Sequence, residues 1–224
     1  MTGATVGSAL GGGVSAQADT PAPQATQAGK PSVQGYLYLT PDEAGFVEAV
    51  AMHMVPADHL SPHGVDLGIP VYIDRALAGG WGRGDRMYLQ GPWAPGEPSQ
   101  GYQSPLTPAE IYRTGIAQTN AHCEKNHGKT FDLLSEVDRE TVLKALEAGK
   151  IQFASGLPAK AFFSILYQTV VEGLFADPIY GGNRDKQGWK MIGFPGVIET
   201  HALNIVNFKN KNYRAPTLGI EDLS

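Results

Sequence analysis

The sequence predicts an all-α fold, a compact bundle of about five or six helices with long structured Gly/Pro-rich loops and an extended C-terminal tail. Three observations carry that prediction. No stretch alternates apolar and polar residues with the two-residue period of a half-buried strand. Helix starts are written clearly, above all Thr40-Pro41-Asp42-Glu43 and Thr107-Pro108-Ala109-Glu110. Each joins a capping hydroxyl, a proline suited to the first helical position and a glutamate placed to close a capping box. Behind these starts apolar residues recur three and four apart, the spacing of one helix face.

Taken in order, residues 1–18 carry no charge and end in Ala16-Gln17-Ala18, a small-x-small pattern suited to signal peptidase. They resemble the middle and end of a twin-arginine export signal. No Arg or Lys precedes Lys30, so the basic leader is expected upstream of Met1 or trimmed away. The alternative is a flexible leader. Residues 19–35, rich in Pro, Ala and Gln, hold too few apolar side chains to fold and read as a linker. Residues 36–224 read as a single helical domain with its tail.

The Thr40 start opens a helix whose inward face is Phe46, Val47, Val50, Ala51 and Met54, ending before Pro56. A second amphipathic helix is predicted from Val65 to Leu77, with Leu67, Val71 and Ile73 inward. Gly79-Gly80-Trp81-Gly82-Arg83-Gly84 reads as a turn with an anchoring tryptophan. Its glycine spacing is not Gly-x-Gly-x-x-Gly and no strand precedes it, which argues against a nucleotide cradle. Residues 91–105 form a Pro/Gly loop whose Trp93 and Tyr102 are candidates for docking a partner; folding back onto their own domain is the alternative.

The Thr107 start opens a helix that Gly128 stops after His127, with Cys123 and His127 one turn apart. Ser135 and Asp138 mark the next start, with Val142, Leu143, Leu146 and Ile151 as its apolar stripe. Pro158 at a first helical position opens the last long helix. Phe162, Phe163, Ile165, Leu166, Val170, Val171, Leu174 and Phe175 cover most of its circumference, so it is predicted to run through the core. Residues 197–224 are expected as an extended tail, partly ordered against the domain or a partner.

That last helix delivers the chain into residues 177–196, where little suits regular structure. Pro178 and Pro195 remove donors, and five glycines supply backbone freedom. Tyr180, Trp189 and Phe194 are large rings that a plain solvent loop rarely carries. The stretch predicts an ordered loop pinned by its aromatics, with Asp177 bracing it by accepting backbone donors. Asp177-Pro178-x-Tyr180-Gly181-Gly182-Asn183, then Gly188-Trp189 and Ile192-Gly193-Phe194-Pro195-Gly196, resembles the signature of the gluconate 2-dehydrogenase subunit 3 family. Upstream, Thr40-Pro41-x-Glu43, Val55-Pro56-Ala57-Asp58 and Ile73-Asp74-Arg75-x-Leu77 extend the resemblance to roughly residues 37–197.

The resemblance implies a small accessory subunit with no catalytic residue of its own. FAD would sit in a large partner of the glucose–methanol–choline oxidoreductase type, and haem c in a multihaem cytochrome subunit passing electrons to quinone. It implies a periplasmic complex on the outer face of the inner membrane, exported by the twin-arginine route, with the signature residues forming an interface loop. The alternative is a free-standing secreted enzyme or binding module, with a pocket built by residues 177–196 and Arg184 or Lys190 holding an acidic substrate.

Composition sets the outer limits. A chain of 224 residues with 42% hydrophobic and 17% charged side chains supports a real core. Net charge of −5 without a basic block argues against nucleic acid. No apolar run nears the roughly 18 residues of a spanning helix, so a membrane link is expected only through the complex. His59 and His63 have metal-ligand spacing, but Pro56, Pro62 and Gly64 oppose a helix there, and no metal site is predicted. Asp177, Asn183 and Asp185 do not match an EF-hand loop. Cys123 is the single cysteine; it predicts either a buried thiol or, in an oxidising compartment, a disulfide to another subunit.

Overall fold

Thr40 and Thr107 each accept the backbone N–H of the glutamate three residues on, while Glu43 and Glu110 reach back to the capping residue's own N–H. Two of the longer helices therefore begin where local chemistry dictates. The structure, a computed structural model, describes residues 1–3, 35–94, 96–97, 104–197 and 202–223. The signal-like segment and the linker lie almost wholly outside the described residues.

Within the unit Gly35–Ser224 the described residues form eight α-helices and no strand, as the all-α expectation requires. The longer ones are α1 (Pro41–Met54), α2 (Ile69–Ala78), α4 (Pro108–His127), α5 (Glu136–Glu147) and α6 (Ala159–Phe175). The short ones are α3 (Gly80–Arg83), α7 (Gln187–Ile192) and α8 (Ala202–Asn207). Phe162 of α6 is the hub of the core. Its ring lies 6.2 Å from Phe46 of α1, 6.1 Å edge-on from Tyr112 of α4 and 6.3 Å from Phe153. Phe131, in a 3-10 turn after α4, closes the cluster at 4.7 Å from Phe46. Gly115 lets the Phe162 ring lie directly on the α4 backbone, because a Cβ there would come within 2.2 Å of it.

Five expectations are corrected. α2 begins at Ile69 rather than Val65, because Gly68 takes a left-handed conformation (φ 81°) that a helix interior excludes. Leu67 and Ile73 are buried as predicted, but Val71 is half-buried. Pro158 occupies the N-cap, with the first helical residue at Ala159. α6 buries only one face, through Phe162, Leu166, Thr169, Val170 and Gly173. On its other side Tyr167 is 55% and Val171 36% exposed, because α6 lies at the edge of the bundle. Lastly, the stretch 177–196 is not wholly irregular: it contains α7 and two 3-10 turns, Pro178–Tyr180 and Arg184–Lys186.

Candidate functional site

α6 ends abruptly. Its C-cap residue Ala176 turns extended (φ −62°, ψ 161°), which leaves the last carbonyls of the helix to find donors elsewhere. The stretch 177–196 supplies them. Trp189 Nε1 donates to the Phe175 carbonyl at 2.7 Å, and Asn183 Nδ2 donates to the Ala176 carbonyl at 2.8 Å. Asn183 is fully buried, and its Oδ1 accepts the Gly188 N–H at 2.8 Å. Its left-handed backbone (φ 46°) is one that asparagine tolerates better than most residues. Gly182 and Gly188 pack so tightly on α6 that a Cβ at either would stand 2.2 Å from the carbonyl oxygens of Gly173 and Leu174. The glycines, the asparagine and the tryptophan together form one lock on one helix end.

The same stretch crosses the start of α2. A Cβ at Gly68 would sit 2.2 Å from the Gly181 carbonyl oxygen, so two backbones touch there. The Arg184 N–H donates to Leu67 at 3.0 Å, its guanidinium to the Asp66 carbonyl at 3.3 Å, and Gln187 Nε2 to the Leu60 carbonyl at 3.1 Å. Phe194 meets Trp189 edge-on at 5.3 Å and donates its N–H to the Trp189 carbonyl at 2.8 Å, while left-handed Gly193 caps α7. Asp177 caps the turn that Pro178 opens, its Oδ1 accepting from Ile179 at 3.0 Å. Its Oδ2 accepts from Ile220 at 2.9 Å. At the other end, Pro195 and Gly196 pair with the returning tail: Leu218 N–H donates to Pro195 at 3.0 Å, and Val197 N–H to Leu218 at 2.8 Å. Gly196 (φ 87°) has its Cβ direction blocked at 1.9 Å by the Leu218 carbonyl oxygen.

Between α2, the end of α6 and the Pro178–Tyr180 turn lies an open, mainly apolar groove of about 710 Å³. Tyr72 and Arg75 line it from α2, Val171, Glu172 and Phe175 from α6, and Tyr180 from the turn. The Tyr72 hydroxyl donates to Glu172 at 3.2 Å, and burial with that carboxylate beside it pushes the phenol up to about 12. Gln168 Nε2 donates to the other Glu172 oxygen at 2.8 Å. Arg75 is the one cation among the lining residues, and its guanidinium is turned toward the Ile179 carbonyl at 3.5 Å. An apolar row, Phe163, Tyr167, Val171 and Phe175, runs four residues apart along α6 into the groove, its first two rings stacked at 6.2 Å.

The other singled-out residues fall elsewhere. Arg184 and Lys190 do not line the groove. Trp93 is half-buried, and Tyr102 lies outside the described residues. Cys123 is fully buried on α4, and burial pushes its thiol up to about 11. In this fold it is a packed apolar group. His63 Nδ1 accepts the Ala57 N–H at 3.1 Å in a non-helical segment. Among the described residues no cluster of three or more His, Cys, Asp or Glu is arranged to hold a metal. Sequence reasoning missed Asp74, whose buried carboxylate accepts three backbone N–H groups, from Leu37 (2.7 Å), Tyr38 (2.8 Å) and Leu39 (3.0 Å). The signal was present: a carboxylate beside Ile73 on an inward helix face demands partners.

The family model for gluconate 2-dehydrogenase subunit 3 matches residues 41–196, from the first residue of α1 to the glycine that receives the tail. The chain belongs to the gluconate 2-dehydrogenase subunit 3 family. No curated protein and no solved structure shows significant similarity to it. In this subunit 3 chain the matched span takes in the whole lock on α6 and both walls of the groove, and stops just before the tail departs.

Proposed function

We propose that this chain is the accessory, non-catalytic small subunit of a heteromeric FAD-dependent dehydrogenase of the gluconate 2-dehydrogenase type. Family membership over residues 41–196 is the observation that carries the proposal. The flavin belongs to a large partner of the glucose–methanol–choline oxidoreductase type, which removes hydride from a sugar or sugar acid. A multihaem cytochrome c subunit takes the electrons on to quinone. The small subunit stabilises the flavoprotein and brings it, already folded, through the twin-arginine route to the periplasm. The complex then works at the outer face of the inner membrane, which this chain reaches only through its partners.

The chain's own architecture supports an assembly role. The apolar row of α6 and the groove it enters leave Tyr167, Val171, Ile179 and Tyr180 exposed together, and a contiguous apolar surface of this kind favours a protein partner. Co-expression with the cognate flavoprotein, followed by affinity purification of this chain, tests the proposal. A stoichiometric flavin-bearing complex is expected, with dye-linked dehydrogenase activity that collapses when this chain is omitted. A stable lone monomer beside a fully active flavoprotein would overturn it and direct attention to ligand binding in the groove.

A further inference from the structure

The tail that follows the matched span leaves the domain at Val197 and returns to the same place at Leu218. Its feet are clamped on the stretch 177–196. Gly196 bridges Leu218, Asp177 accepts the Ile220 N–H at 2.9 Å, and Lys186 Nζ binds Asp222 at 2.5 Å. Between the feet stands α8, which leaves its aliphatic side uncovered. Ala202, Leu203, Ile205 and Val206 share an arc of roughly 160° at 100° per residue. That arc points to solvent: Leu203 is 74%, Ile205 72% and Val206 72% exposed. On the opposite side Asn207 is exposed as well, and Asn204 is half-buried, its amide donating to the Tyr213 hydroxyl at 3.1 Å. Phe208 packs edge-on against the Tyr213 ring at 5.0 Å, which stiffens the segment just after α8.

A long connection held at both ends and displaying an outward aliphatic face is built to be covered. Its charge says by what. Between Ala202 and Arg214 the chain carries Lys209, Lys211 and Arg214 and no carboxylate, although the whole chain has a net charge of −5. All three cations are exposed and none is ion-paired among the described residues. A second copy meeting this face symmetrically would bring like charges together, which opposes self-association. Bilayer binding scales with buried apolar area, and the three exposed aliphatic side chains of α8 supply little of it. An apolar depression edged with carboxylates on another protein satisfies both features.

We infer that Ala202–Arg214 is a docking strap that inserts Leu203, Ile205 and Val206 into an apolar, acid-rimmed depression on the flavin-dependent partner. This rests on the accessory-subunit proposal and deepens it. The test compares the dissociation constant of the full-length chain for the purified flavoprotein with that of two variants. Leu203→Ser/Ile205→Ser/Val206→Ser should raise Kd at least tenfold with an unchanged melting temperature, since none of the three side chains contributes to the core. Lys209→Glu/Lys211→Glu/Arg214→Glu should raise Kd and flatten its dependence on salt. Wild-type binding with unchanged Kd in both variants would overturn the strap while leaving the subunit proposal standing. Failure of the wild type to bind would remove both. Flotation of the wild type, but not the serine variant, with phosphatidylglycerol–phosphatidylethanolamine vesicles would assign the face to a bilayer. Self-association lost in the same variant would assign it to a second copy. Either assignment would overturn the inference.

Discussion

The indole of Trp189 donates to the carbonyl of Phe175 at 2.7 Å, so the last turn of α6 is completed by a residue that follows it in the chain. Asn183 adds a second donor at Ala176. Helices more often end on a backbone N–H of a left-handed residue, as α4 does at Gly128. Here the donors are side chains carried by a folded loop, so the end of α6 and residues 177–196 support each other.

Removing the lock has a graded cost. Asn183→Ala leaves the Ala176 carbonyl and the Gly188 N–H without their partners in a buried place and is expected to lose about 2–3 kcal/mol. Trp189→Phe keeps most of the ring but not the donor, and is expected to lose about 1 kcal/mol. Urea unfolding midpoints check both values. Hydrogen exchange at Gly188 should accelerate in Asn183→Ala.

Asp74 ties the segment before α1 to α2 through three N–H groups, two on Oδ1 and one on Oδ2. Asp74→Asn keeps an acceptor for only one side of that set and sets an amide donor against an N–H on the other. A loss of about 1–3 kcal/mol is expected. Amide exchange at Leu37, Tyr38 and Leu39 should rise well before that of α4, and a uniform rise would refute a local staple.

Gly115→Ala sets two effects in opposition. Helix propensity alone favours alanine by about 1 kcal/mol. The new methyl would meet three ring atoms of Phe162 within 2.5 Å, and overpacking of a core costs about 1–3 kcal/mol. Packing should win because Phe162 is fully buried and held by rings from three sides. The expected melting temperature is lower than wild type, and Gly115→Ala/Phe162→Leu should recover part of the loss relative to Phe162→Leu alone.

Cys123 should resist alkylation by iodoacetamide in the native protein and react fully in denaturant. Its folded thiol is raised to about 11 because burial disfavours the thiolate. The stability it contributes is therefore complete below the ordinary thiol range and is lost as pH rises through about 11. Cys123→Ala should remove that part of the alkaline loss, measured by denaturant titration from pH 8 to pH 11.

Much of the fold was legible because its signals are local. The capping boxes at Thr40 and Thr107, the stop at Gly128 and the start at Ser135 lie where the residues place them, since a cap needs only its own turn. The start of α2 was misplaced because Gly68 turns left-handed where the Gly181 backbone presses on it, a contact between distant parts of the chain. α6 was expected to be enclosed because its composition is apolar all round. Composition cannot say which side of the bundle stays empty.

The candidate site divides the same way. By itself the sequence determined the helical class, most helix boundaries, the family and the stretch 177–196 that marks it. Tertiary structure alone decided that Asn183 and Trp189 close the end of α6, that Asp74 gathers three amides, and that Cys123 lies inside. It also decided that α8 turns its aliphatic side outward. The physical reason is range: capping and periodicity are interactions within a turn or two. Donor–acceptor pairing, burial and exposure depend on which distant segments meet, and that is settled only when the chain packs.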